Sequence, residues 1–284
     1  MPLNDGPAKR TIALGQAFRD NPPSPYVEFG LASAFSFLRG ASEPLDFAVQ
    51  ANALGYDRIG IADLNSMAGA VRMWSEGRTA KVDALIGCRL VLTCGAELLA
   101  YPQDRAAYGR LCALLSAGKM RTPDGEWQAK AVTEITLAML AERAEGLHLI
   151  AMPDADLDAF DRDVLPRLMR ALPPTHLAAS MLYRGDDRAR VNRLDAMARA
   201  HGLTLMATND VLYHHPSRRP LQDVLTCIRE GETIRSIGTR LEANAERHLK
   251  QPEEMVRLFA DWPHAVRATR ALADRIAFRL TDLR

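Results

Sequence analysis

The sequence predicts an α/β fold, a closed or distorted β/α barrel followed by a helical extension. Three observations predict it. Short apolar strands alternate with helical segments from Tyr26 to Asp210, the pattern of a parallel sheet joined by crossover helices. About seven such units occur, which favours closure into a barrel over an open sheet. Past His215 the strand signal ends and helical or helix-loop pieces take over. The expected division is a flexible lead-in over 1–25, a barrel over 26–215 and a helical extension over 216–284.

The elements follow in order. Pro2, Pro7, Pro22, Pro23 and Pro25 mark the lead-in. A short apolar strand, Tyr26 to Leu31, opens the stretch YVEFGLASAFSFLRGAS. A strand end followed by a loop is where an α/β enzyme displays His or Asp, and here those places hold Gly30, Ala32 and Arg39. Ser42 caps a helix with Pro44 in its first turn, and Gly55 stops it. RIGIA (58–62) is a buried strand with Asp63 at its carboxyl end, followed by the helical SMAGAVRMWSEG. Ala84 to Ile86 and ELLAYP are the next strands, and DRAAYGRLCALLSAGKM is a helix. RTPDGEWQAK reads as an exposed loop around a Pro-Asp-Gly turn. TLAMLAERAEG is helical and HLIAMP a strand; Leu165 to Leu172 is helical and THLAAS a strand. ARVNRLDAMARAHG is helical, and LTLMATND is a strand ending at Asn209 and Asp210. PLQDVLTCIREG, TIRSIGTRLEANAERHLK, QPEEMVRLFADWP and HAVRATRALADRIAFRL form the extension, and the chain stops at FRLTDLR as a fragment of a longer protein would.

Composition excludes several classes. Hydrophobic residues make up 48% and charged residues 25% of the 284, ordinary values for a globular domain. Lys plus Arg (36) nearly cancels Asp plus Glu (35), so bulk charge announces neither a nucleic-acid nor a membrane partner. Cys88, Cys94, Cys112 and Cys227 form no CxxC pair, which argues against a zinc module and a disulfide framework and for reduced thiols in the cytoplasm. No apolar run approaches the ~20 residues of a membrane span.

In a β/α barrel the chemistry sits at the carboxyl ends of the strands. The polar groups there are Glu28, Ser33, Asp63, Asn65, Asp154, Asp156, Asn209, Asp210, His214 and His215. A multinuclear hydrolytic centre needs several imidazoles and bridging carboxylates, and this inventory has almost no histidine. Asp63 and Asp210 read as metal ligands or general bases or, more plainly, as caps of the loops after their strands. No GxSxG, Walker loop or GxGxxG is present. Arg218, Arg219, Arg229, Arg235 and Arg240 form a basic stretch interleaved with glutamates. It reads as a solvated surface or as a contact for DNA or another domain.

FSFLRGAS, IADLNSMAG, LLAYPQDRAAYGRLC, ATNDVLYHHPSRRPLQDVLTCIREG and LEANAERHLKQPEEMVRLF resemble the N-terminal region of bacterial error-prone C-family DNA polymerases, the inducible second α-subunit type of the DNA-damage mutagenesis cassette. The resemblance covers nearly everything from Tyr26 to Leu280. It implies a polymerase and histidinol phosphatase (PHP) domain, a distorted, TIM-like, seven-stranded β/α barrel placed before the palm, thumb and fingers. Metal-binding PHP domains of related replicative polymerases carry HxHS, LDG, TDH, a Glu after GC, and NDxH. On those motifs the opening histidines fall on Gly30 and Ala32, and the loop Asp on Arg39. The His of TDH falls on Leu64, the Glu on Arg89 and the last His on Leu212. The fourth-strand histidine falls between Gly95 and Glu97, and Asp63 and Asp210 survive.

The resemblance therefore implies a non-catalytic structural domain without metal or cofactor, in a parent chain that is a DNA polymerase of translesion synthesis. The palm aspartates and their Mg would lie beyond Arg284. The expected partners are the palm and thumb and, through the full-length chain, DNA, accessory proteins of the mutagenesis complex and the sliding clamp. The alternatives are a residual phosphoesterase or 3′–5′ exonuclease using Asp63, Asp210 and a rearranged His214, and a DNA- or accessory-protein-binding module.

Overall fold

The computed structural model describes residues 17–120, 125–129, 132–172 and 174–283. Its sheet has six strands in sequential order: β1 (Arg58–Leu64), β2 (Asp83–Val91), β3 (Glu97–Pro102), β4 (Leu147–Met152), β5 (His176–Ala179) and β6 (Thr204–Ala207). Helix α1 (Pro44–Leu54) precedes β1, and the helices between the strands are α2 (Ala70–Thr79), α3 (Arg105–Ala117), α4 (Leu137–Ala141), α5 (Leu157–Ala159), α6 (Leu165–Ala171) and α7 (Asp187–Ala200). A π-helical turn, Phe160–Val164, joins α5 to α6. Beyond β6 come α8 (Arg219–Glu230), α9 (Pro252–Leu258) and α10 (Pro263–Arg275).

Two expectations about the sheet are corrected. The sheet is mixed, because β3 runs antiparallel to both β2 and β4. The link from Val91 to Glu97 is too short for the crossover that a parallel neighbour requires, so it turns back as a hairpin. The seventh position is filled by an extended segment rather than a seventh named strand. Gly60 N–H donates to Glu28 O (2.7 Å), Ala62 N–H to Leu31 O (2.8 Å) and Ala32 N–H to Val211 O (2.9 Å). Towards β6 a buried side chain replaces part of the backbone ladder. The Glu28 carboxylate accepts from Thr208 Oγ1 (2.6 Å), Asn209 N (2.8 Å), Gly30 N (2.7 Å) and Tyr26 Oη (2.6 Å).

Strand side chains alternate between two cores, as the period of two dictates. Ile59, Ile61, Ile86, Cys88, Leu90, Leu98 and Ala100 pack towards the helices. Val27, Phe29, Ala62, Leu85, Leu99, Tyr101, Ile150, Ala178 and Met206 fill the interior. Tyr101 is the interior's largest ring, set edge-on to Phe29 at 4.9 Å, and its hydroxyl donates to Phe29 O. Glycine is required beside it: a Cβ on Gly60 would lie 2.7 Å from Tyr101 Oη, and one on Gly87 2.5 Å from its ring.

Packing crosses the expected division at 216. Ala268, Leu272, Ala273 and Ile276, from α10 and the residue after it, belong to the interior core, and Val27 N–H donates to Thr269 Oγ1 (3.0 Å). The last long helix is thus part of the barrel's own packing. Between α8 and α9, where helix or helix-loop was expected, the chain has only a 3-10 turn at Gly238–Arg240. It then returns along the end of β6, with Leu212 N–H donating to Arg247 O (2.9 Å). The lead-in was expected to be flexible, but its described part is tied down. Asn21 donates to the carbonyls of Asn52 (2.9 Å) and Tyr56 (3.0 Å), and Ser24 N–H donates to Asp57 (3.0 Å). The rest, 1–16, lies outside the described residues.

Candidate functional site

The carboxyl ends of the strands gather the positions singled out in the sequence, but in two separate groups. Strand register makes the separation. Asp63 pairs with Cys88 and Leu64 with Arg89. Cys88 packs in the helix-facing core, so Asp63 shares that side while Arg89 lies on the interior side with Leu85.

Asp63 binds the opening loop. It accepts from Ser33 N (2.8 Å), Ser33 Oγ (2.9 Å) and Ser36 Oγ (2.7 Å), and Ser36 Oγ in turn accepts from Leu64 N (3.1 Å). These bonds fix the 3-10 turn Ala34–Ser36. Burial pushes the Asp63 pKa up, against the pull of the serine hydrogen bonds. No basic side chain is among its hydrogen-bond partners.

Asp210 is held by arginines. Arg89 is 2% exposed; it donates Nη1 to Glu97 Oε2 (2.8 Å) and Nη2 to Asp210 Oδ1. Arg247 donates Nη2 to Asp210 Oδ2 (2.5 Å), Nε to the Asp210 carbonyl (2.8 Å) and Nη1 to Glu242 (2.6 Å). Arg39 reaches Glu97 at 3.8 Å. Burial would raise the Asp210 pKa, but Arg247, Arg89 and Arg39 outweigh it and hold the carboxyl at about 2. Arg39 is lowered to about 10, chiefly by burial and then by repulsion from Arg89. Burial works against the Arg89 charge too, yet Asp210 and Glu97 leave its pKa raised.

The remaining positions are closed by packing. A Cβ on Gly30 would lie 2.7 Å from Thr208 Oγ1 and 3.1 Å from Asp210 Cα, so the present backbone has no room there for an imidazole. Ala32 and Leu212 pack together with Ala41 and Tyr213 in a small apolar cluster. Leu64 lines a cavity of about 730 Å³ together with Phe37, Asn65, Lys119 and Trp127. His214 stands by α1, with Nδ1 2.8 Å from Ser42 Oγ and its ring edge-on to Phe47.

Asp63 Oδ1 accepts from one N–H and two hydroxyls, while its Oδ2 accepts only from Ser33 Oγ (3.0 Å); Asp210 faces two guanidinium groups, which place positive charge beside it. Among the described residues no three His, Cys, Asp or Glu side chains converge on a point. Asp154 lies near enough to Glu97 for that carboxylate to help burial raise its pKa, while Asp156 caps α5 through Asp158 N (2.9 Å) and Ala159 N (3.0 Å).

The basic stretch is mostly engaged within the chain. Arg218 pairs with Asp46 (3.3 Å) and Arg219 with Asp223 (2.6 Å). Arg229 donates to Leu38 O (2.9 Å), and Arg240 pairs with Glu232 (2.5 Å); Arg235 is exposed. The sequence singles out neither Arg247 nor Glu242 as a site residue, and Glu97, at the edge of the position mapped for the fourth-strand histidine, is not joined there to Asp210. Arg247 arrives on the return loop, which Asn209 anchors by donating to the carbonyls of Glu246 (2.7 Å) and His248 (2.6 Å). Nothing in the spacing of the sequence announces that return.

Comparison with known proteins places these features in a family. Residues 30–168 match the PHP domain family. The chain is 48% identical over 274 residues to an error-prone DNA polymerase of Bradyrhizobium sp. (strain ORS 278), covering 92% of this chain and 23% of that protein. It is 45% identical over 264 residues to an error-prone DNA polymerase of Caulobacter vibrioides, covering 92% and 24%. The chain thus spans about a quarter of the length of the curated relatives it matches. Among solved structures it resembles an amidohydrolase from Chromobacterium violaceum, at 14% identity and a TM-score of 0.49, covering 64% of this chain and 86% of that one.

Proposed function

We propose that this chain, which belongs to the PHP domains of error-prone DNA polymerases, is a structural PHP domain whose metal centre has been replaced by a fixed ion-pair network. One observation carries the reading: the Arg89 guanidinium lies between Glu97 and Asp210, so a permanent side-chain cation balances the carboxylates that metal would otherwise bridge. A phosphoesterase needs an ionisable water and an open coordination position. With Arg89 and Arg247 on Asp210, and an apolar pair at Ala32 and Leu212, neither is provided.

On this reading the chain neither hydrolyses phosphate esters nor polymerises DNA. Nucleotidyl transfer in damage-induced translesion synthesis, with its Mg²⁺, belongs to a palm domain in a longer, cytoplasmic polymerase. The work of this domain is to brace that palm and the thumb. DNA, the clamp and accessory proteins are met through the longer chain.

Elemental analysis of the purified protein, paired with a nuclease assay on single-stranded and 3′-mismatched DNA in Mn²⁺ or Zn²⁺, tests the reading. The expected result is substoichiometric metal and no activity beyond that of an Asp210→Ala control. Stoichiometric metal together with a nuclease that Asp210→Ala abolishes would overturn it.

A further inference from the structure

Helix α8 turns part of its apolar surface to solvent, although Leu225 packs inward against Ala32, Ala41, Leu212 and Tyr213. Its buried residues are Gln222, Thr226 and Cys227, and the Oε1 of Gln222 is buried with no hydrogen-bond partner. Its apolar residues Leu221, Val224 and Ile228 face outward, Ile228 at 60% exposure. The spacing i, i+3, i+7 places them in one stripe. A helix on a protein's outer surface normally buries such a stripe against the core.

The stripe continues onto the opening loop. A groove of about 330 Å³ runs between them, lined by Phe37, Leu38, Ala41, Arg218, Leu221 and Leu225. Phe37 is 71% exposed. It and Leu38 both have positive φ (41° and 60°), backbone that non-glycine residues adopt only when the surroundings impose it. The imposing contacts are the Ser36–Asp63 bond (2.7 Å) on one side and Arg229 to Leu38 O (2.9 Å) on the other. The loop is therefore braced in a form that holds a phenyl ring out to water.

We propose that this face, Phe37 with Leu221, Val224 and Ile228, is the seat on which the remaining domains of the polymerase dock. The assignment rests on the reading of the chain as a polymerase PHP domain. Two features choose the occupant. The stripe is uncharged, and the arginines at its ends are engaged within the chain, Arg218 with Asp46 and Arg229 with Leu38 O and Glu230; that suits a permanent protein interface and not a phosphate backbone. The matched relatives are about four times as long as this chain, so their remaining domains provide an occupant that is always present.

Site-resolved thiol labelling tests this. Ile228→Cys, with Val224→Cys as a second probe and Val71→Cys on exposed α2 as control, is made both in the 284-residue chain and in the longer polymerase in which the remaining domains follow it. Maleimide uptake is read peptide by peptide by mass spectrometry, which separates the probes from the native cysteines. The α8 probes are expected to label as fast as the control in the short chain, and to slow by about tenfold or more in the longer one while the control is unchanged. Equal labelling in both chains overturns the proposal. So does slow labelling already in the short chain, which would mean that the chain or a second copy covers the face. Protection that appears only when an accessory protein is added also overturns it. Metal-dependent nuclease activity would sink the scaffold reading without changing these labelling rates, so the two failures are distinguishable.

Discussion

Asp63 and Asp210 stand at the same end of the barrel, yet they are held by opposite chemistry. Asp63 is gripped by a backbone N–H and two hydroxyls, and burial raises its pKa. Asp210 is gripped by two guanidinium groups, and its pKa falls to about 2. The comparison teaches that two acids at neighbouring strand ends can have different structural tasks. Asp63 pins a loop on the helix-facing side of β1. Asp210 is the anion of an arginine network on the interior side.

The largest expected effect comes from breaking the arginine corner. Arg89→Ala takes the shared cation from Asp210 and Glu97, leaving them to Arg247 and Arg39, and one-sided loss of a buried pair costs up to about 3–5 kcal/mol. Urea denaturation should show a correspondingly lower midpoint. Asp63→Ala removes an acceptor from three donors but strands no charge, so it should cost less, about 1–3 kcal/mol. Its signature is local: faster amide exchange at Ser33 and Phe35, whose N–H groups are fixed through Asp63 and the Ser33 hydroxyl. An Asp63→Ala loss larger than that of Arg89→Ala would invert the comparison.

The smallest effect, and the sharpest in sign, is the response to acid. Asp210 has a folded pKa of about 2 against an ordinary 3.8. Its contribution to stability is therefore complete above about pH 4 and is lost as pH falls towards 2. Asp63, raised by burial, works the other way, favouring the folded state more once it is protonated. Urea midpoints measured from pH 5 to pH 2 should fall less steeply in Asp210→Asn than in the unaltered chain. A steeper fall would assign the acid sensitivity elsewhere.

Much of this was legible in the sequence, and the failures have physical causes. Strand and helix alternation over 26–210 placed the elements of the six-stranded sheet, and two positions singled out at its strand ends, Arg89 and Asp210, do meet in one ion pair. The hairpin at Thr93–Ala96 was missed because a run of apolar residues such as GCRLVL does not reveal strand direction. The return of Arg247 to Asp210 was missed because it depends on Asn209 holding a loop almost forty positions away, a tertiary constraint with no local period. The outward stripe of α8 was read as an ordinary helix, since periodicity reports that one face is apolar and not which way it points.

A double-mutant cycle between Arg89→Ala and Asp210→Ala, read by urea denaturation, tests most directly whether a side-chain cation holds this mouth together. The account predicts coupling: each single variant removes the shared pair while Arg247 still faces Asp210 and Glu97 still faces Arg89, and the double variant costs less than the sum of the two by about 1 kcal/mol or more. Losses that add within about 0.5 kcal/mol would contradict it, leaving Arg89 and Asp210 as neighbours with no shared role.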